Sequence, residues 1–496
     1  MCIASGSKIA CTNNMCNWMD YEPPSAAQAP SIADNRHRDV DFAANMLCVI
    51  AFLSKGDGGA EGERLLGSLG LPNSTTFARR SFANIERFIG PEIIKIADEV
   101  VYQKNLVEEV KQALGGKRDN NGVLLFDLWK DKMLPEDLWP KLTASGDMGW
   151  QGKGSGNSYN SKSGDAIYVG SLTRKPIAWH VMGKGCSTCN GWKQSSKGKS
   201  GEPCPQHACR RTWTGSSGAM EPVALLNMHV ELFTQHCVVV ERVVSDDDSS
   251  IKSKLKWNNA DWMINNNSDD PPCVCSKEGK RSVRPDMGAL PRNMPEPTFV
   301  ADPNHRKKSW TNSLCSLEKR KKEHNMTITK MDVIRLGRNM AHMFASLSKM
   351  ETDEDMVNAA KAVIEHHFNN HQCCGEWCRR KNVDPEKDNK KKYYRCKDKD
   401  AKLHSELQAR IERFIAIEAL REVAHGMNTL MNESFNNTVS WVAPKNKVYS
   451  LSDSLQNRIA LALGINGLGT LNYYKLLCGR CNIEIPPDVL LSLIHI

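Results

Sequence analysis

Hydrophobic positions in the first third of the chain recur at three- and four-residue steps. FAANMLCVIAFL, TFARRSFANIERFI and PEIIKIADEVVYQKNLVEEVKQAL all carry this period, which gathers apolar side chains on one face of a helix. The pattern predicts a helical region over 39–140. Pro91 is expected in a helix first turn, where its missing N–H costs nothing, and Pro72 and Asn73 mark a break between helices. Residues 1–38 are rich in Ser, Ala, Pro and Asn without such a period, and read as a disordered tail.

The period changes near Leu142. LTASGDMGW, GDAIYVGSL and KPIAWHVMG are rich in strand-forming residues, the last two separated by a turn at Thr173 and Arg174. EPVALLNMHVELFTQHC then reads as an amphipathic helix, and CVVVERVVSD as a strand ending in acids. In the order β, β, β, α, β the helix carries the chain back, so the fourth strand returns parallel within the sheet. Residues 141–257 are therefore expected to form the first part of an α/β core. Residues 258–425 read as an insertion: a polar, Pro-rich loop over 258–298, helices from about Pro303 to His371, and a charged loop over 379–403. HSELQARIERFIAIEALREVAHGMNTLMNESFNNTV is expected to be one long helical region. Residues 426–496 return to the core with trailing helices in SLQNRIALALGI and NYYKLL; the closing LLSLIHI breaks off in mid-pattern.

A length of 496 residues predicts two to four domains. No stretch approaches the roughly 18 consecutive apolar residues of a membrane span, and the N-terminus lacks a basic start followed by an apolar block. The expectation is a soluble intracellular protein with no membrane partner. The net charge of +9 favours a polyanionic partner. There are 18 cysteines, several spaced Cys-x-x-Cys or set beside His, which in a reducing compartment points to zinc more than to disulfides.

Three acidic positions stand out by order. Asp147 follows the first strand, Asp246, Asp247 and Asp248 follow the fourth, and Glu433 lies far downstream on a helix. Each alone has a bland reading: a turn residue, a solvated loop, a surface helix position. Together they make a cluster, because parallel neighbouring strands would bring Asp147 and the 246–248 run out at one sheet edge, where open α/β sheets bind ligands. Carboxylates suit magnesium, a hard cation that prefers oxygen. Two such ions roughly 3.5–4 Å apart can activate an attacking oxygen and stabilise a leaving one.

Cys186 and Cys189 are followed by Cys204, His207 and Cys209. Zinc takes four such ligands in a tetrahedron. Cys186, Cys189, His207 and Cys209 are the preferred set for a structural zinc ion, with Cys204 as an alternative for one place. A second group comprises His367, His371, Cys373, Cys374 and Cys378, with Cys396 nearby, and its ligand set is open. Cys478 and Cys481 could supply half of another site, while Cys273 and Cys275 suggest no role.

Several spaced segments agree in order with one family. GDMGWQGKGSGNSYNSKSGDAIYVGSLTRKPIAWHVMGKGC, WTGSSGAMEP, VVSDDDSS and NESFNNTVSWVAPK resemble the Mutator-like transposase domain of eukaryotic DNA transposons, over roughly 142–468. The resemblance implies an RNase H-like mixed sheet interrupted by a large, mainly helical insertion, with a helical region before it. It implies a DDE transposase that hydrolyses DNA at element ends and joins 3′-hydroxyls to target DNA. Carried over, Asp147 is the first acid and Glu433 the third. Asp246 best matches the second, with Asp248 the close alternative. VADPNHRKKSW resembles the family's Cys/Asp-x-x-His signature at Asp302 and His305, beside the active site; locally, Asp302 also reads as a helix cap with Pro303 in the first turn. Arg306, Lys307 and Lys308 are expected to face DNA phosphates. The implied cofactors are two Mg2+ ions, or Mn2+, besides structural Zn2+. The implied partners are double-stranded DNA, as terminal inverted repeats and target, and a second copy of the chain in a dimer or larger assembly. The implied location is the nucleus. A domesticated derivative that binds DNA without cutting it is the alternative, against which the retained acids argue.

Overall fold

The computed structural model describes residues 43–68, 79–152, 161–207, 209–246, 293–372, 374–378, 380 and 394–485. The expected tail at 1–38, the break at Pro72 and Asn73, Asp247, Asp248, Cys273, Cys275, Cys373 and the closing LLSLIHI lie outside the described residues.

The N-terminal helical pattern folds as α1 (Ala43–Ser54), α2 (Gly59–Ser68) and α3 (Arg79–Asp98). A π-helical stretch, Glu99–Asn105, continues α3 into α4 (Leu106–Leu114), and α5 (Leu125–Lys130) follows. Pro91 corrects one expectation: it lies inside α3, not in a first turn. A proline there forfeits one backbone hydrogen bond and costs about 3 kcal/mol. The face carrying Ile85, Ile89, Ile93 and Ile96, all fully buried, outweighs that cost through tertiary packing.

Among the described residues, five strands form one mixed sheet in the order β3-β2-β1-β4-β5. They are β1 (Lys141–Gln151), β2 (Ser163–Gly170), β3 (Pro176–Gly183), β4 (Val239–Ser245) and β5 (Thr298–Ala301). β1 pairs antiparallel with β2 and parallel with β4, so the expected adjacency of first and fourth strands holds. Arg174, with φ of 58°, makes the expected turn between β2 and β3. Short helices α6 (Ser187–Gln194) and α7 (Ser196–Lys199) follow β3, and α8 (Met220–His236) makes the return to β4.

Side chains alternate across the sheet, as strand geometry requires. Ile167 and Val169 of β2 join α1 and α3 in one core, while Ala166 and Tyr168 join α4 and α8 in another. The sheet is therefore covered on both faces. β5 was not anticipated; its four residues are too few to show an alternation.

A third core holds the helices between β5 and the return to the sheet. These are α9 (Pro303–Lys319), α10 (Lys330–Ser346), α11 (Asp353–His367), α12 (Ala401–Ile415) and α13 (Ile417–Ala424). Trp310, Leu336, Met340 and Phe414 are buried there. α14 (Leu430–Val442), α15 (Ser454–Leu468) and α16 (Thr470–Arg480) complete the described chain. The long helical region expected from His404 onward consists of three helices. Ala416, with ψ of 138°, ends the first, and Gly426, with φ of 65°, lies in the turn before α14. Such breaks turn α14 back onto the sheet.

Candidate acid site and Cys/His quartets

Asp147 lies within β1, opposite Ile167 of β2, and not after the strand as expected. The reason is the unequal length of its neighbours. Pairing with β4 stops at Ser145↔Val244, whereas pairing with β2 continues to Gln151↔Ser163. Asp147 therefore sits where one side of the strand has run out of partner. Asp246 is one residue beyond the end of β4. Both acids lie two residues past the Ser145↔Val244 pair, so the parallel register sets them side by side.

α14 crosses this edge. Its buried Asn432 donates from Nδ2 to the Ser145 carbonyl at 3.1 Å and to the Ile167 carbonyl at 2.9 Å, and accepts from the Ser145 hydroxyl. One turn on, Asn436 Nδ2 donates to Asp147 Oδ2 at 2.8 Å, while the Met148 N–H donates to Asp147 Oδ1 at 2.8 Å. Residues four apart share a helix face, so these two asparagines fix the helix against β1 and β2. Glu433, one position past Asn432, has half its side chain exposed at 53 %.

His305 stands between the acids. Its Nε2 is 3.1 Å from Asp246 Oδ1 and 3.6 Å from Glu433 Oε1. Asp302 is buried and acts as a clamp. One carboxylate oxygen accepts the Asn304 N–H at 2.6 Å as the cap of α9, with Pro303 in its first turn. The other accepts the N–H and hydroxyl of Thr429, both at 2.9 Å, just before α14. Its own N–H donates to the Ser245 carbonyl at 3.1 Å. Asp302 thus ties together the end of β4, the start of α9 and the start of α14, which carry Asp246, His305 and Glu433.

Arg306 corrects another expectation. It is buried, donating to the Ala419 carbonyl at 2.7 Å and pairing with Glu422 at 2.8 Å. It cannot face DNA, because a position one turn after a buried cap points into the helical layer. Lys307 is half-buried and Lys308 is exposed.

Crowded negative charge sets the electrostatics. Burial pushes the Asp246 carboxyl up, His305 opposes this, and Asp147, Asp302 and Glu433 add to the rise, leaving it at about 6. Burial also raises Asp147, against the Met148 N–H and His305. A further acid, Asp165 of β2, was missed by sequence reasoning. It is wholly buried, and burial with the nearby Asp147 charge pushes it up to about 7. Gly149 makes room for it: a Cβ there would stand 2.9 Å from Asn436 Oδ1 and 3.0 Å from the Asp165 carboxylate. The available signal was an acid inside GDAIYVG, an otherwise uncharged strand.

The first Cys/His cluster assembles as expected. Cys186, Cys189, His207 and Cys209 bring their ligand atoms within 4.8 Å of one another. His207 Nε2 is 3.3 Å from Cys186 Sγ and 3.4 Å from Cys189 Sγ, and the sulfurs of Cys189 and Cys209 are 3.4 Å apart. His207 Nδ1 is 2.8 Å from the Pro205 carbonyl, a contact that leaves Nε2 to coordinate. Cys204, 4.0 Å from the opposite ring nitrogen, is not in the set. Burial raises Cys186, but the N–H groups of Cys189 and Arg210 with His207 bring it down to about 6, while burial and the neighbouring thiols push Cys189 well up. Thiols packed this way suit a cation among them.

The second cluster is His366, His371, Cys374 and Cys378. Sequence reasoning named His367, which instead faces Asp332 at 3.3 Å. Adjacent helix residues point about 100° apart, so only one of the pair can face the loop. His366 Nδ1 is 3.5 Å from Cys374 Sγ and 3.4 Å from Cys378 Sγ. Burial and the surrounding His371, His367 and Arg380 hold His366 down at about 4, neutral as a ligand must be. Cys396 is exposed and outside the set, while Cys478 and Cys481 are buried in the α3 core and belong to neither quartet. Both quartets are of a composition and size that bind zinc. The acids do not close into a set this tight among the described residues.

A mixed α/β protein with two Cys/His quartets and acids gathered where parallel strands end is the class defined by these features. The chain matches the family Mutator-like transposase over residues 2–271, and it belongs to that family. The matched span includes Asp147, Asp246 and the first quartet, and ends before His305 and Glu433. Searches of curated proteins and of solved structures each found no match. No helix among the described residues is long and apolar enough to cross a membrane.

Proposed function

We propose that this protein is a DDE DNA transposase, with the mixed sheet as an RNase H-like core and the α9–α13 layer as its helical insertion. The observation that carries the reading is the β1–β4 register. It sets Asp147 beside Asp246, with Glu433 reached across His305. The donor set fits hard divalent cations: three carboxylates gather there, and the charges of Asp147 and Glu433 add to the burial that raises Asp246.

Asp147, Asp246 and Glu433 would hold two Mg2+ ions, or Mn2+. When bound, these supply Lewis-acid activation of a water or 3′-hydroxyl and charge stabilisation at the leaving oxygen. The chain does the positioning. Asn436 fixes the Asp147 carboxylate, and Asn432 sets the depth of α14, hence of Glu433. Asp302 holds β4, α9 and α14 in register. His305 holds Asp246 and Glu433 together, and with a cation held by those acids it would be placed to meet a DNA phosphate. Lys307 and Lys308 remain available to the DNA backbone. Zinc in the quartets is structural.

Substrate would be duplex DNA at terminal inverted repeats, followed by target DNA. Such work on chromosomal DNA would be done in the nucleus, and holding two element ends together would call for at least a dimer. The test is an end-cleavage and strand-transfer assay on DNA carrying the flanking repeats, with Mg2+ or Mn2+ against no added divalent cation. Metal-dependent nicks at the repeat boundary and joined products are expected. Binding of the ends without cutting under either metal would sink the reading.

A further inference from the structure

The Asp165 carboxyl lies beside the acid site without a part in holding its cations. Asp147, Gly149 and Gln151 of β1 stand opposite Ile167, Asp165 and Ser163 of β2. Alternate strand positions share a face, so all of them lie on the side of the sheet where Ile167 packs with Phe435 and Val439 of α14. Asp165 is wholly buried there, and neither of its carboxyl oxygens has a hydrogen-bond partner. A charged carboxylate kept dry without donors is costly, and a neutral one still needs an acceptor for its O–H. Burial is the chief reason that the Asp165 carboxyl is pushed up to about 7; the Asp147 charge adds to the rise, while the Gln151 amide and the Lys445 charge oppose it.

Gly149 shows which group the carboxyl meets. A Cβ there would stand 3.0 Å from both Asp165 oxygens and 2.9 Å from Asn436 Oδ1, so the two side chains converge over bare backbone. The other end of that amide is committed, since Asn436 Nδ2 donates to Asp147 Oδ2 at 2.8 Å. An amide that turns its nitrogen to one group turns its oxygen away from it. A neutral Asp165 meets that oxygen with a donor. A charged Asp165 would draw the nitrogen round instead, and leave the Asp147 carboxylate facing an oxygen.

We propose that Asp165 is a positioning residue of the acid site: its O–H donates to Asn436 Oδ1 and locks the amide in the orientation that presents Nδ2 to Asp147. Asp165 thereby acts on the first acid through Asn436 and holds no cation itself. Groups behind a metal ligand fix its orientation in this way. The consequence for divalent-cation binding rests on the transposase reading, whereas the hydrogen-bond chain does not.

The test uses the full chain, purified without chelators. Infrared difference spectra between wild type and Asp165→Asn, at about pH 6 and so below the raised value of about 7, should contain the C=O stretch of a protonated carboxyl. The same difference in an Asn436→Ala background should show that band displaced, because its acceptor has gone. A missing band in the first pair, or an unmoved one in the second, would overturn the proposal. Calorimetric titration with Mn2+ reads the consequence, with Asp147→Asn as the blank for binding elsewhere. Asp165→Ala should weaken Mn2+ binding about tenfold, and Asp165→Asn, which keeps a donor for Asn436, should restore most of it. In the Asn436→Ala background Asp165→Ala should add little, since it acts through Asn436. Wild-type Mn2+ affinity in Asp165→Ala would overturn the proposal, as would a loss in Asp165→Asn as deep as in Asp147→Asn, which would make Asp165 a metal ligand. If Asp165→Ala fails to fold, the infrared pairs decide alone. Wild-type protein that neither binds Mn2+ nor cuts DNA defeats the transposase reading, and the infrared pairs still uphold or sink the Asp165 link.

Discussion

The acid site and the first Cys/His quartet are built in opposite ways. The quartet draws its ligands from one window, Cys186 to Cys209, and its ligand atoms are already within reach of a single ion. The acid site draws on β1, the end of β4, α9 and α14, with residues as far apart as Asp147 and Glu433, and its carboxylates do not close to that size. Under the proposed function, the difference is one of purpose. A structural metal needs a closed shell, which a short loop can supply. A catalytic centre needs open positions for substrate, and topology must hold like charges near one another at a cost. The quartet should therefore fail by losing stability, and the acid site should fail by losing activity while the fold persists.

The largest effect is expected from Asp147→Asn. It is nearly isosteric, can keep one of the two hydrogen bonds that Asp147 accepts, from Asn436 or from the Met148 N–H, and removes the charge proposed to bind metal. End cleavage should fall by about 10⁴-fold, or about 5.5 kcal/mol of barrier, with duplex affinity and melting temperature close to wild type. Parallel gel-shift and cleavage assays read both. A variant that still cuts at a tenth of the normal rate would remove Asp147 from the metal-binding set.

Cys189→Ser should do the reverse. Loss of a buried zinc ligand belongs with the large destabilisations, about 4 kcal/mol. It should appear as one zinc equivalent lost by mass spectrometry and a clear drop in melting temperature. Full zinc content with unchanged melting would remove Cys189 from any structural zinc site.

Legibility followed the same division. The quartet was readable because its ligands keep short spacing. Asp147, Asp246 and Glu433 were readable only through their order and the surrounding motifs. Their juxtaposition needed the β1–β4 register, which helix–strand periodicity cannot supply. Asp147 was misplaced relative to its strand because the end of β1 is set by β2, a partner the local pattern does not reveal. Arg306 was misread because a basic run gives no sign of which side chain turns inward; burial follows helix phase. His366 and His367 show the same ambiguity, settled by a rotation of about 100°. Asp165, Asn432 and Asn436 were missed for another reason. Their roles come from contacts across elements, as in the Asn432 bond to Ile167, and no spacing announces them.

Asn432→Ala tests whether the acid site owes its shape to this buried bridge. It leaves the carbonyls of Ser145 and Ile167 without their donor in a dry interface. A loss of about 2–3 kcal/mol in chemical denaturation is expected, with a milder fall in cleavage as Glu433 loosens. Substitution of Asn436 by Ala, one turn on and nearer solvent, should spare stability and mainly slow cleavage. If both variants lose stability equally, α14 is held by general packing and not by the bridge.

The smallest effect lies in the pH dependence of the magnesium-free protein, and it bears most directly on the claim that the acid site stores repulsion. The Asp246 carboxyl is raised by burial to about 6, against an ordinary value of 3.8. A raised carboxyl binds its proton more tightly when folded. Its favourable contribution is therefore fully present below about 4 and is lost as pH rises through about 6. Asp246 is 37 % exposed along its side chain, so solvent screening reduces the effect to less than about 1 kcal/mol. Urea denaturation without added magnesium, with no chelator that would strip zinc, should show wild-type stability between pH 4 and 7 falling by that amount relative to Asp246→Asn. Saturating Mg2+ should remove the difference in slope, because a cation takes the place of the proton. A slope identical in the two proteins without metal would mean that the carboxylates sit together without strain, and that the contrast with the quartet is one of geometry alone.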